Sequence, residues 1–375
     1  MNHSRDEFFL KKCLFLAKKG LGLVSPNPMV GAIVVKGNHV VGHGWHHAYG
    51  LPHAEVEAIK MAGIKAKDAT LYVNLEPCCH YGKTPPCTDL IIKTGIKKVV
   101  FCTIDPNPFV AGKSVDILKQ NGIEVRYGLL EDDAKKLNEA YFIHTELKRP
   151  YITLKWAMSI DGKIADKDGK SKWITSQDTR AFLKKLRFEY DAILVGSKTV
   201  LKDDPLLDFC IPHGLKKRLI DKKRFFKIIL DSNLSVSPDA KVFSNKLHKV
   251  IIFRAKENFE DKKQFPENVK IVEVDRECEN GLLNVKDILK FLYSEGIGKI
   301  FVEGGTRVLT TFYNFGLYDS IFVFIGGKII GGPAVYPPLE GRLLPLDKES
   351  GLVLEETKRF ENDILMIFKN VYRNN

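Results

Sequence analysis

The residues best suited to chemistry lie in two stretches, Pro52-His53-Ala54-Glu55 and Pro77-Cys78-Cys79-His80-Tyr81-Gly82-Lys83-Thr84-Pro85-Pro86-Cys87. One imidazole and two thiolates make three metal ligands, and a catalytic zinc takes three protein ligands and keeps a fourth position for water. The bound water's pKa falls to about 7, which brings hydroxide within reach at neutral pH. Glu55 stands two residues past His53, at a predicted helix start. It can reach that water without being a ligand, which suits a proton shuttle from water to a leaving amine. Cys87 leads into a predicted helix, whose positive end favours a thiolate. Either Cys78 or Cys79 can complete the set.

Short elements must position these groups. Phe8, Phe9, Leu16 and Ala17 predict a helix over 6–19, stopped by Gly20. Val30–Val35 and Val40-Val41 form a hairpin around Lys36-Gly37-Asn38. A helix begins near His53. Strands follow at 70–75, 98–103 and 123–127, with helices at 88–94 and 113–120. Helices alternating with short buried strands predict an α/β layer fold. A charged helix over 132–147 ends at Lys148-Arg149-Pro150, where proline sets a boundary. This gives two domains, 1–148 and 149–375. The second half predicts strands at 151–156, 192–195, 227–230, 249–253, 270–274, 299–302, 320–324 and 364–370, with helices at 178–189, 284–295 and 306–315.

Length and composition agree. For 375 residues two domains are the natural expectation. The 44% apolar and 28% charged content is that of a globular protein, not a disordered or collagen-like one. The net charge of +12 is spread as +5 over 1–150 (20 basic, 15 acidic) and +7 over the remainder (38 and 31). Diffuse charge without a basic-aromatic platform argues against a nucleic-acid partner. No apolar run is long enough for a membrane span, and the first residues carry no secretory pattern, so a cytoplasmic location is expected. Seven cysteines, an odd number, fit a metal or catalytic role better than a disulfide framework.

His-x-Glu with a later Pro-Cys is the signature of zinc nucleobase deaminases. Its Pro-Cys order favours Cys78 over Cys79 as the ligand. That signature separates its cysteines by two residues, whereas Cys78 and Cys87 enclose eight. The long form, with Gly-x-Thr-Pro-Pro-Cys, resembles the bifunctional riboflavin-biosynthesis deaminase/reductase (RibD) family. So do Asn27-Pro28-Met29-Val30-Gly31, Gly44-Trp45-His46 and Asp105-Pro106-Asn107-Pro108. The resemblance implies an N-terminal cytidine-deaminase-like α/β/α domain with zinc on His53, Cys78 and Cys87. It also implies a pyrimidine and ribose-phosphate pocket lined by Asn27, His46, His80 and Lys83. His39, His43 and His47 are expected on the surface or in loops.

The second half carries the family's reductase words: Lys155-Trp156-Ala157-Met158, Ser171-Lys172-Trp173, Gly196–Pro205, Leu230-Asp231-Ser232 and Glu303-Gly304-Gly305. The resemblance implies a dihydrofolate-reductase-like α/β domain that uses NADPH. It places Met158, Trp173, Thr199, Asp203, Ser232, Gly305 and Thr306 on the cofactor, and Lys155, Ser171, Arg187, Leu207 and Glu303 on the substrate. Lys155 is expected to position the ribosyl imine or its open-chain form. Glycines between a strand and a helix let phosphate approach the helix amides. The expected reaction is deamination of a phosphoribosylaminopyrimidine, then NADPH reduction of its ribosyl group, in a homo-oligomer of two or four chains.

One departure stands out. Where the family has Leu-Thr-x-Arg, with the arginine on substrate phosphate, this chain has Leu207-Asp208-Phe209-Cys210. Cysteine cannot supply a bidentate charged grip. Arg187 with a cation from the basic run at 216–227 is the expected substitute, and a non-catalytic second domain is the alternative.

Overall fold

The computed structural model describes residues 2–81, 85–257, 263–277, 281–332, 337–340 and 350–372. The chain divides into two units, Met1–Lys148 with Leu215–Lys223, and Arg149–Gly214 with Arg224–Asn375.

In the first unit the elements run α1 (Asn2–Ala17), β1 (Gly31–Lys36), β2 (His39–Trp45), α2 (Ala54–Ala62), β3 (Thr70–Val73) and α3 (Cys87–Lys93). They continue with β4 (Lys98–Phe101), α4 (Lys113–Gln120), β5 (Glu124–Tyr127), α5 (Glu131–Leu137) and α6 (Glu139–Leu147). The sheet order is β2-β1-β3-β4-β5. β1 is antiparallel to β2 and β3, and β3, β4 and β5 are parallel. Alternation along β1 shows the layers. Ala32 and Val34 face a core with Ala58, Ile59, Ile91 and Leu118 of α2, α3 and α4. Ile33 and Val35 face Phe9, Leu10 and Cys13 of α1. The result is a three-layer α/β/α sandwich. Glycine lets α2 lie close on β2, since a Cβ on Gly42 would stand 2.2 Å from the Ala58 carbonyl oxygen.

The predicted helix over 132–147 is two helices, broken at Asn138 (φ −106°, ψ 21°). The Asn138 side chain leaves the helix surface to grip Met29, accepting from its N–H at 2.7 Å and donating to its carbonyl at 2.9 Å. Two tertiary hydrogen bonds outweigh helix continuity there.

The second unit contains β6 (Tyr151–Ser159), α7 (Gln177–Arg187), β7 (Ala192–Gly196) and α8 (Ser197–Asp203). The one-turn α9 (Lys217–Ile220) falls in the segment grouped with the first unit. Then come β8 (Phe226–Leu230), β9 (Lys249–Ala255), β10 (Val269–Val274), α10 (Val285–Ser294), β11 (Lys299–Gly304) and α11 (Thr306–Asn314). β12 (Ser320–Gly326), β13 (Leu352–Phe360) and β14 (Asp363–Asn370) close the unit. The sheet order is β10-β9-β8-β7-β11-β6-β12-β14-β13. It is parallel from β10 to β12, and β14 and β13 add an antiparallel edge. Buried parallel strands read as continuous apolar runs, which is why they were visible in the sequence. β13 was not predicted. Its exposed Leu-Val-Leu-Glu-Glu-Thr-Lys-Arg run is that of a charged edge strand. α8 was also missed.

Candidate functional site

In the first unit a cleft of about 290 Å³ is lined by Asn27, His46, His53, Glu55, Cys78 and His80 among others. His53 caps α2 in an extended conformation, so its ring and the Glu55 side chain project from the same helix start. Cys87 is the first residue of α3, and its amide donates to the Cys78 sulfur at 3.3 Å. His53 Nδ1 lies 3.5 Å from Cys78 Sγ and 3.4 Å from Cys87 Sγ. The three ligand atoms lie within 4.8 Å of one another. A tetrahedral zinc with bonds of about 2.0–2.3 Å sets its nitrogen and sulfur ligands roughly 3.5 Å apart, so the set fits zinc.

The electrostatics agree. Cys87, donating to it, and then the His53 ring bring the Cys78 thiol down to about 4. The neighbouring Cys78 sulfur and burial push Cys87 well up. The Cys78 sulfur raises His53 to about 9. His53 ligates a metal as the neutral ring and Cys78 and Cys87 as thiolates, so zinc binding here would release protons from these side chains. Glu55 is 3% exposed, and burial raises its carboxyl above the usual range, as a proton carrier needs. Cys79 is half-buried, outside the triad, and directed at the Phe109 carbonyl at 3.6 Å.

Around the triad, burial lowers His46 to about 4, so its ring is neutral. Its Nδ1–H donates to the Pro52 carbonyl (3.0 Å), and its Nε2 accepts from the Asn27 amide (3.2 Å), the tautomer following from those partners. Among the described residues the Asn27 carbonyl oxygen and second amide N–H have no hydrogen-bond partner. His80 lines the cleft, and its buried Nδ1 has no partner among the described residues. Lys83 lies outside the described residues. His39 and His43 are exposed, and His47 packs against Trp45 with its ring tilted by 50°.

Several participants were not singled out in the sequence. Asp105, Asn107, Tyr49 and Tyr141 also line the cleft. Tyr141 donates to Asp105 at 2.7 Å, and burial lifts that carboxyl to about 6. Asn74 accepts from Gly31 N–H and donates to the Met29 carbonyl, so Asn74 and Asn138 together hold the segment that presents Asn27. Buried Glu76 accepts the amides of Asp105, Gly112 and Ser114. The signal available in sequence was Asp105-Pro106-Asn107-Pro108, which marks a specialised loop but not its role.

In the second unit a cleft of about 1300 Å³ holds Lys155, Ser171, Trp173, Arg187, Thr199 and Asp203. Leu207, Ser232, Glu303, Gly305 and Thr306 line it too. Met158 does not; it packs half-buried against the apolar core. Glu303, at the end of β11, accepts from Arg187 Nε (2.6 Å) and Nη2 (3.0 Å), with Lys155 Nζ at 3.5 Å. Burial would raise Glu303, but Arg187 and Lys155 hold it below the usual carboxyl range. Burial pushes Lys155 down, against the pull of Glu303. Ser171 Oγ approaches Asp203 at 3.4 Å, and Arg180 stacks on the exposed Trp173 ring at 4.1 Å. Gly305 caps α11 at φ +74°, and a Cβ on Gly304 would stand 3.2 Å from Thr199 Oγ1, so side chains here would fill the cradle before the helix.

The basic run at 216–227 does not line this cleft. Lys216–Lys223 group with the first unit, and Lys227 is fully buried against Asp208 Oδ1 at 2.7 Å. The charge count missed this because a lysine at the start of a buried strand turns inward once an acid waits there. Cys210 is exposed in the cleft.

Fold and sites define a two-domain enzyme, a deaminase of the zinc-binding class followed by a reductase. Residues 3–103 match the family described as the cytidine and deoxycytidylate deaminase zinc-binding region, and residues 150–366 match the RibD C-terminal domain. The riboflavin biosynthesis protein RibD of Aquifex aeolicus is 47% identical over 326 residues, 87% of this chain and 88% of that relative. The Escherichia coli RibD is 37% identical, covering 88% and 90%. A crystal structure of a diaminohydroxyphosphoribosylaminopyrimidine deaminase/5-amino-6-(5-phosphoribosylamino)uracil reductase from Thermotoga maritima superposes with a TM-score of 0.85 at 38% identity, over 99% of this chain and all of the other. Acinetobacter baumannii RibD gives 0.86 at 30% identity, over 98% and 99%. The chain belongs to the RibD family of riboflavin-biosynthesis deaminase/reductases.

Proposed function

We propose that residues 1–148 hydrolytically deaminate 2,5-diamino-6-ribosylamino-4(3H)-pyrimidinone 5′-phosphate. Residues 149–375 then reduce the resulting 5-amino-6-(5-phosphoribosylamino)uracil with NADPH. The observation that carries the reading is the His53, Cys78 and Cys87 triad with buried Glu55 at the same helix start. His53, Cys78 and Cys87 hold one zinc ion, which when bound acidifies a water to a pKa of about 7. Glu55 takes the proton of the attacking water on its carboxylate and delivers it to the departing amine nitrogen, and ammonia leaves. Asn27, His46, His80 and Lys83 hold the pyrimidine and its ribose phosphate.

In the reductase, Trp173, Thr199, Asp203, Ser232, Gly305 and Thr306 hold NADPH, which supplies hydride, and Met158 supports that wall from the core. Lys155 orients the ribosyl imine, held by Glu303, while Arg187, Ser171 and Leu207 face the substrate. The intact Lys155, Glu303 and Arg187 cluster supports a working reductase over a scaffold domain. We place the enzyme in the cytoplasm, as a homo-oligomer. The test is Glu55→Gln. It should keep zinc and lose deamination by about 10²-fold or more, while NADPH oxidation with the deaminated substrate continues. Zinc loss in that variant refutes the shuttle, and no NADPH oxidation by the wild-type protein refutes the reductase.

A further inference from the structure

α7 presents Arg180, Lys184 and Arg187 at i, i+4 and i+7, on one helical face, and all three line the reductase cleft. Two of these cations are committed. Arg187 gives Nε and Nη2 to Glu303 and Nη1 to the Asp208 carbonyl at 3.0 Å. Arg180 donates to the Thr175 carbonyl at 2.5 Å and stacks on Trp173. Lys184 is exposed, and among the described residues its ammonium makes no hydrogen bond or ion pair.

The position of Lys184 decides which ligand it serves. The Cys210 amide donates to the Lys184 carbonyl at 2.8 Å, so the start of α7's last turn lies beside the 207–210 segment. That segment and Arg187, one turn on, line the cleft together with Ser232, Gly305 and Thr306, and on the reductase reading above the first group faces the substrate and the second the cofactor. Asp208, the acid of the segment, is already paired with buried Lys227. Cys210 brings no charge. Nine basic and six acidic side chains line the cleft among the described residues, an excess suited to anions.

We propose that Lys184 is the cation that holds the 5′-phosphate of the reductase substrate in this chain. The proposal rests on the reductase reading above and adds the residue that selects a phosphorylated substrate. A lysine on a four-carbon stem acts as a mobile point charge, so it grips phosphate without the fixed fork of an arginine.

The test compares 5-amino-6-(5-phosphoribosylamino)uracil with its dephosphorylated counterpart. Lys184→Ala should raise KM for the phosphorylated compound tenfold or more. The ratio of kcat/KM between the two compounds should fall by the same factor, because phosphate contact is uniform between ground and transition states. Lys184→Arg should restore the ratio. An equal loss on both compounds, or none, overturns the proposal. A second measurement does not depend on turnover. Millimolar ribose 5-phosphate should slow alkylation of Cys210 by iodoacetamide in the intact protein, read by peptide mass, and Lys184→Ala should abolish that protection. If the wild type fails to oxidise NADPH but loses protection with Lys184, the reductase reading falls and the phosphate site stands. Undiminished protection in Lys184→Ala removes the site.

Discussion

Replacing Glu76 with glutamine tests how the zinc-site loops are held. Glu76 stands two residues before Cys78 and is 3% exposed. Its Oε2 accepts the amides of Asp105 (3.1 Å) and Gly112 (3.0 Å), and its Oε1 accepts Ser114 N–H (3.2 Å) and Ser114 Oγ–H (2.6 Å). These amides include the unpaired donors at the start of α4. Glutamine has one acceptor oxygen, so its NH₂ must face donors. Set at Oε2 it strands two amides. Set at Oε1 it strands Ser114 N–H, while the hydroxyl can turn to accept. The better orientation leaves one buried N–H unsatisfied, at about 1–3 kcal/mol, and weakens two charge-assisted bonds by about 1 kcal/mol each. A loss of at least about 3 kcal/mol follows, and each 1.4 kcal/mol is tenfold in the opening equilibrium. Hydrogen exchange of the 105–114 segment in the intact, zinc-loaded protein should therefore accelerate roughly hundredfold. Acceleration below about threefold would mean that Glu76 does not anchor these loops.

Three further outcomes follow from the deaminase cleft. Cys78→Ser should release zinc, whereas Cys79→Ser should keep it; metal content of the purified variants decides, and loss from the Cys79 variant would put the wrong sulfur in the triad. Burial holds His46 near 4 against an ordinary 6.5, so its stabilising effect is complete above about 6.5 and disappears as pH falls through 4. In chelator, the stability gap between wild type and His46→Gln should narrow by about 3 kcal/mol from pH 7 to pH 4, and a constant gap in urea titrations would show that the ring is not held neutral. Asn138→Ala should leave Met29 N–H without its side-chain acceptor and cost about 1–3 kcal/mol, with KM for the deaminase substrate rising because Asn27 is presented by that segment; an unchanged KM would separate the clamp from the pocket.

Much of the deaminase site was legible because its chemistry is written locally. His53 and Glu55 share a helix start, and Cys78 and Cys87 close a short loop, so residue type and spacing nearly define the ligand set. The buried strands of both sheets were legible for a similar reason, since parallel strands covered on both faces must be apolar throughout. The clamps were not legible. Asn138 reaches Met29 across 109 residues, and Arg187 reaches Glu303 across 116.

The amino-acid sequence by itself carried the α/β class and the candidate metal ligands, His53 and Cys87 with Cys78 or Cys79, beside Glu55, while the residues expected on a phosphorylated pyrimidine and a nucleotide came from the family resemblance. Only the tertiary structure decided which like groups have free valence. Lys227 and Lys184 read alike as basic residues, yet one is buried against Asp208 and the other is exposed in the cleft. Asn138 reads as one more polar helix residue, yet it breaks the helix to hold Met29. The physical reason is that a charge or an amide is spent or free according to its nearest partner in space. That partner is chosen by packing between distant segments, which no local pattern records.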